Sequence, residues 1–114
     1  MTSKFYRGAL ILVALGVFAS VPIMLNAQPS PAGNVRDAIE HAKEAVDHGK
    51  QGHAKELVIH AEKSLQYAER GGKSSHLDEG IKHLKEAIEH GKAGHADVGT
   101  EHAEAAVQHL SEAK

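Results

Sequence analysis

A chain of 114 residues has room for one small domain. It contains no cysteine, which excludes disulfides, zinc fingers, iron–sulfur clusters and thiol-attached haem. A formal charge of −2 offers nucleic acid no basic footprint, and the compositional outlier is histidine, with ten copies and none before residue 41.

The chain opens with Lys4 and Arg7 ahead of the apolar run GALILVALGVFASVPIML at 8–25, closed by LNA before QPSPAG. A positive start, an apolar middle and a small residue at the cut predict a signal peptide over residues 1–27, cleaved after Ala27. A retained membrane anchor is the alternative, because the run is near the minimum length for a membrane span. Pro22 inside the run and the proline-rich exit favour cleavage, which leaves no membrane segment. Either way the histidine-rich part is exported, and with no cysteine framework a bacterial periplasm suits it best. Cleavage leaves eleven basic residues against fifteen acidic ones, and Tyr67 as the single aromatic ring. A core of Ala, Val, Ile and Leu alone predicts marginal stability.

Residues 28–34 are expected to form a flexible linker, and residues 35–113 a helical domain. That domain is one motif written twice. IEHAKEAVDHGKQGHA at 39–54 lies over IKHLKEAIEHGKAGHA at 81–96, a shift of 42 residues, or six heptads. In the first copy Val35, Ile39, Ala42 and Val46 make one helical face, and GKQG at 49–52 ends it. A second helix runs from about His53 to Ala68 on Leu57, Val58, Ala61 and Leu65, and GGKSS at 71–75 is a loop. The third helix carries Leu77, Ile81, Leu84 and Ile88, GKAG at 91–94 is the turn, and the fourth carries Ala103, Ala106, Val107 and Leu110. The expected fold is all-α, an antiparallel four-helix bundle of two repeated hairpins, about 35–70 and 76–113. Gly80 and Gly99 are its weak points, since an interior glycine costs about 1 kcal/mol in a helix.

The histidines keep helical phase. His41 and His48, His53 and His60, His76, His83 and His90, and His95, His102 and His109 are each seven residues apart on one helix, with five residues across each glycine turn. Seven residues make nearly two turns and about 10 Å. Metal–nitrogen bonds are about 2.0–2.1 Å, so neighbours in one stripe cannot share an ion. Two other ligand sources are visible. One is the carboxylate a turn earlier: Asp37 before His41, Glu44 before His48, Glu56 before His60, Glu79 before His83, and Glu86 before His90. The other is the partner helix. Each stripe lies about 120–130° to the same side of its helix's apolar centre. Antiparallel neighbours therefore either face their stripes together along one flank or turn both away; facing, they give rungs His48–His53, His41–His60, His90–His95, His83–His102 and His76–His109.

Imidazole with carboxylate and no thiolate suits Cu(II), Ni(II) and Zn(II), with copper the strongest. No Glu-x-x-His pair of the di-iron kind exists, and no serine or buried-acid constellation accompanies the histidines, so the chain does not read as an enzyme.

The repeated A-x-x-H-x-x-E heptad, the HGKxGH turns at 48–53 and 90–95 and the signal peptide resemble the bacterial small metal-binding protein family. The resemblance covers residues 35–113. It implies a periplasmic, all-helical protein that binds several divalent metals, is associated with copper and serves homeostasis or scavenging. The implied ligands are the ten histidines. The pattern fails at the outermost rung of the first hairpin, where Asn34 and Tyr67 stand, so fewer sites are expected there. The competing reading is a histidine-striped interaction module that responds to pH without a physiological metal, since imidazole titrates near pH 6.5 in model peptides, about where such a module would switch.

Overall fold

Ser30 and Pro31 begin the first helix. The Ser30 hydroxyl accepts a hydrogen bond from the Gly33 amide at 3.0 Å, and proline in the first turn lacks an amide that would go unpaired there. The structure, a computed structural model, describes residues 29–113; the expected signal peptide lies outside them. Four helices follow in order: α1 (Pro31–Lys50), α2 (Ala54–Ala68), α3 (Ser75–Lys92) and α4 (Ala96–Ala113). The linker expected over 28–34 is therefore shorter, because Pro31–Asn34 are helical. Asn34 is buried, and its Nδ2 donates to the Arg70 carbonyl at 3.1 Å, tying α1 to the loop after α2. Ser74 caps α3 as Ser30 caps α1, accepting from the Leu77 amide.

Both hairpin turns have one construction. Gly52 and Gly94 have φ of 82° and 85°, a left-handed conformation that costs glycine little. The His53 amide then reaches back to the His48 carbonyl at 2.9 Å and Gly52 to Gly49 at 2.9 Å; the second turn repeats this with His95 to His90 at 2.8 Å and Gly94 to Gly91 at 3.0 Å. This paired closure is the Schellman motif, and the last carbonyls of α1 and α3 are satisfied by it.

Each helix packs on the next and α4 returns to α1, which closes the antiparallel four-helix bundle that the heptads predict. Val35, Ile39, Ala42, Val46, Leu57, Ala61, Leu77, Leu84, Ile88, Ala103, Ala106 and Leu110 are buried, while Val58, Leu65, Ile81 and Val107 are half-buried against them. Ala38, Ala45, Ala68 and Ala87 complete the core, and the Ser64 hydroxyl crosses from α2 to donate to the Ala38 carbonyl at 2.6 Å. Among the described residues no helix is long and apolar enough to cross a membrane.

Gly80 and Gly99, the weak points of the helical pattern, are places of close approach. A Cβ on Gly80 would lie 2.8 Å from Leu110 Cδ2, and one on Gly99 would lie 3.3 Å from Leu57 Cδ1. In the first hairpin the positions equivalent to Gly80 and Leu110 are Ala38 and Ala68, both fully buried. Glycine with leucine fills one repeat, and two alanines fill the other.

Gly80→Ala is expected to destabilise the bundle by about 1–3 kcal/mol through overpacking, although alanine is the better helix former by about 1 kcal/mol. In a Leu110→Ala background the same change becomes favourable, because the contact is gone. Denaturant unfolding of the four proteins measures this coupling. An identical Gly80→Ala effect in both backgrounds would reject the close-contact account.

Candidate metal centre

The turns set the histidine register. The innermost histidines of each hairpin are joined by the long hydrogen bond of the Schellman motif, so five residues separate them, and each further step of seven moves outward on both helices. His53 occupies the N-cap of α2 but makes no side-chain capping bond. Its ring meets that of His48 instead, at 6.0 Å between centroids.

All ten histidines fall into two seams, His41, His48, His53 and His60 between α1 and α2, and the other six between α3 and α4. The expected rungs are present, with centroid separations of 6.1 Å for His41–His60, 5.5 Å for His83–His102, 6.2 Å for His90–His95 and 6.3 Å for His76–His109. Discrete rungs, however, are not what the rings form. His48–His60, His90–His102 and His83–His109 approach to 5.1, 5.3 and 5.4 Å with planes within 9° of parallel. Each seam is a zigzag in which an imidazole on one helix lies between two on the other. The cause is the lean of helical side chains toward their own N-terminus. In an antiparallel pair that lean carries His48 away from the turn and His60 toward it, so the diagonal pair closes. In the first seam the zigzag ends on Tyr67, stacked on His41 at 5.5 Å.

The carboxylates correct the local pairing expected from sequence. Glu44 Oε1 lies 2.9 Å from His41 Nδ1 and 3.5 Å from His60 Nδ1, and does not serve His48. Glu86 Oε1 lies 3.6 Å from His83 Nδ1 and 3.7 Å from His102 Nδ1, and does not serve His90. Glu112 Oε1 stands 3.5 and 3.8 Å from Nδ1 of His76 and His109. Thus the glutamate three residues after a histidine folds back over it and reaches the opposite ring as well. Glu79 keeps its expected partner His83, adding His109 from α4. Asp37 and Glu56 join no three-ligand group among the described residues. Glu112 was not among the candidates; His109-x-x-Glu112 completes the A-x-x-H-x-x-E heptad and marks it.

Four groups have ligand atoms within 4.8 Å of one another: His41–Glu44–His60, His83–Glu86–His102, His76–His109–Glu112, and Glu79–His83–His109. His48, His53, His90 and His95 lie outside them, paired near the turns. His83 and His102 Nδ1 are 3.3 Å apart. Nδ1 of His41, His48, His60 and His109 is buried with no hydrogen-bond partner. The short Glu44–His41 approach is thus a contact without N–H alignment, leaving both groups turned toward shared space. A buried polar atom left unpaired costs about 1–3 kcal/mol, and a cation held by these groups would remove that cost at His41, His60 and His109. Three donors of this kind, open to solvent on one side, fit a borderline divalent ion.

A family model described as small metal-binding protein matches residues 5–113. No curated protein matches the chain.

Glu44→Gln is expected to weaken the first hairpin's group by about tenfold or more, the scale on which even supporting groups matter at metal sites. Asp37→Asn and Glu56→Gln should leave affinity unchanged. Competition against a chromophoric chelator compares the three variants, and a loss confined to Asp37→Asn or Glu56→Gln would restore the local pairing.

Proposed function

We propose that this chain, which belongs to the small metal-binding protein family, buffers or scavenges divalent transition metals, chiefly copper, in a bacterial periplasm. Metal ions are its partners. The observation that carries this reading is the glutamate bridging facing imidazoles on two helices, repeated at Glu44, Glu86 and Glu112. Copper comes first because Cu(II) binds imidazole and carboxylate most strongly among the common divalent ions, with nickel and zinc weaker on the same donors. The periplasm rests on Lys4, Arg7 and the apolar run before a small-residue cut.

Capacity, more than catalysis, accounts for the layout. Similar groups recur along two seams, none has a carboxylate set apart in a closed pocket, and the bridging Glu44 and Glu112 are about half exposed. An ion can therefore exchange with solvent. Because every group takes ligands from two helices, binding is linked to the folded hairpin.

Saturating Cu(II) should raise the melting temperature, since a ligand at 100 times its Kd adds about 2.7 kcal/mol per site when the unfolded chain does not bind. An unmoved melting curve would overturn the reading in favour of the metal-free, pH-responsive module. Protons compete for imidazole nitrogen, so affinity should collapse between about pH 7 and 5, around the model-peptide histidine value. Cu(II) titrations across that range check this, and full binding at pH 4 would exclude imidazole ligation.

A further inference from the structure

The ligand groups of the second seam overlap. Glu86 joins His83 to His102, Glu112 joins His76 to His109, and between them Glu79 stands with His83 and His109. Only Glu79 belongs to the middle group alone; each of its imidazoles is also a ligand of a neighbouring group. A neutral imidazole offers one lone pair. The middle group therefore holds no ion of its own while either neighbour is filled, and it is open to one neighbour's ion only when the other neighbour is empty.

We infer that this middle group is a transit position, through which a divalent ion passes between the inner and outer groups without leaving the protein; the inference rests on the metal-holding reading above. In the first step His83 stays bound while Glu86 and His102 give way to Glu79 and His109. In the second, His109 stays bound while His83 and Glu79 give way to His76 and Glu112. Only metal–ligand bonds form and break, at constant oxidation state. Rings seven residues apart on one helix are separated by about 10 Å, so each step covers about half of that. The path has no gap, since the rings of His102, His83, His109 and His76 succeed one another at 5.5, 5.4 and 6.3 Å. His83 and His109, the two rings that hand the ion on, are 24% and 31% exposed, shielded from bulk water yet not locked in the core.

The first seam lacks this device. It holds one three-ligand group, and the next ring outward from His41 is the phenol of Tyr67. Passage along the bundle is a property of the second hairpin.

Zn(II) at one equivalent per chain is the probe, with exchange NMR following the imidazole resonances of His102 and His76. Exchange between the inner and outer groups is expected to be faster, by about tenfold or more, than release of Zn(II) to an excess of chelator. Glu79→Gln should bring it down to the release rate while the number of bound ions stays the same; the factor is that of a lost supporting group at a metal site. Glu89→Gln, an exposed change on the same helix outside every group, should leave it untouched. Exchange no faster than release, or unmoved by Glu79→Gln, overturns the transit position. Absence of any Zn(II)-induced shift at the seam imidazoles overturns the metal-holding reading itself.

Discussion

The hydrogen bond from the His53 amide to the His48 carbonyl, and its twin from His95 to His90, sets the rest of the structure. Each closes a turn in which glycine at positive φ reverses the chain at a fixed distance from the last helical residue. With the innermost pair fixed, the heptads of both helices run outward in step. Position 41 must face 60, and position 34 must face 67; in the second hairpin 83 must face 102 and 76 must face 109. An insertion of one residue in either turn would rotate a whole stripe by about 100° and scatter its ligands.

Side-chain direction then decides what the register delivers. Long side chains on a helix lean toward its N-terminus, so on antiparallel helices they lean in opposite senses along the bundle. Matched rungs become a zigzag, and a glutamate three residues beyond a histidine is folded over the pair that it bridges. Neither effect depends on burial of charge. Both follow from chirality and from the antiparallel arrangement, and so they recur in two hairpins whose other residues differ.

The helices, their order and the matching of the five histidine pairs were legible in the sequence, because periodicity fixes azimuth and the glycine turns fix the register; that the stripes face each other and do not both turn away is a finding of the structure. Three other things were not legible. Spacing along one helix makes Glu at i−4 and Glu at i+3 look alike as neighbours of a histidine, and only the lean of the side chain separates them; hence spacing alone assigns Glu44 and Glu86 to His48 and His90 and does not single out Glu112. The start of α1 is also hidden, although Ser30 and Pro31 carry a capping signal, because Gly33 and Asn34 have the composition of a linker and the bond from Asn34 to Arg70 is not local. Gly80 and Gly99 read as weak points of their helices because a glycine's value at a helix contact depends on the residue opposite, here Leu110 and Leu57, which no local pattern shows.

Two identical hairpins would place identical side chains against one another at the axis between them. Leu57 and Gly99 are the same position in the two repeats, and the Leu57 methyls lie 3.3 and 3.4 Å from where a Gly99 side chain would begin. One leucine crosses the axis and one glycine makes room for it. The core has thus lost the repeat's symmetry while the seams keep it, a separation allowed because core and histidine stripes sit about 120–130° apart on each helix. The outer ends diverge as well. Asn34, bonded to Arg70, and Tyr67, stacked on His41, close the first hairpin with the chain's own side chains. The second ends in His76, His109 and Glu112, where the Glu112 oxygen lies 3.5 and 3.8 Å from the two Nδ1 atoms and Nδ1 of His109 has no hydrogen-bond partner. One repeat closes its last rung with its own side chains, and the other leaves three groups there that could hold a metal ion.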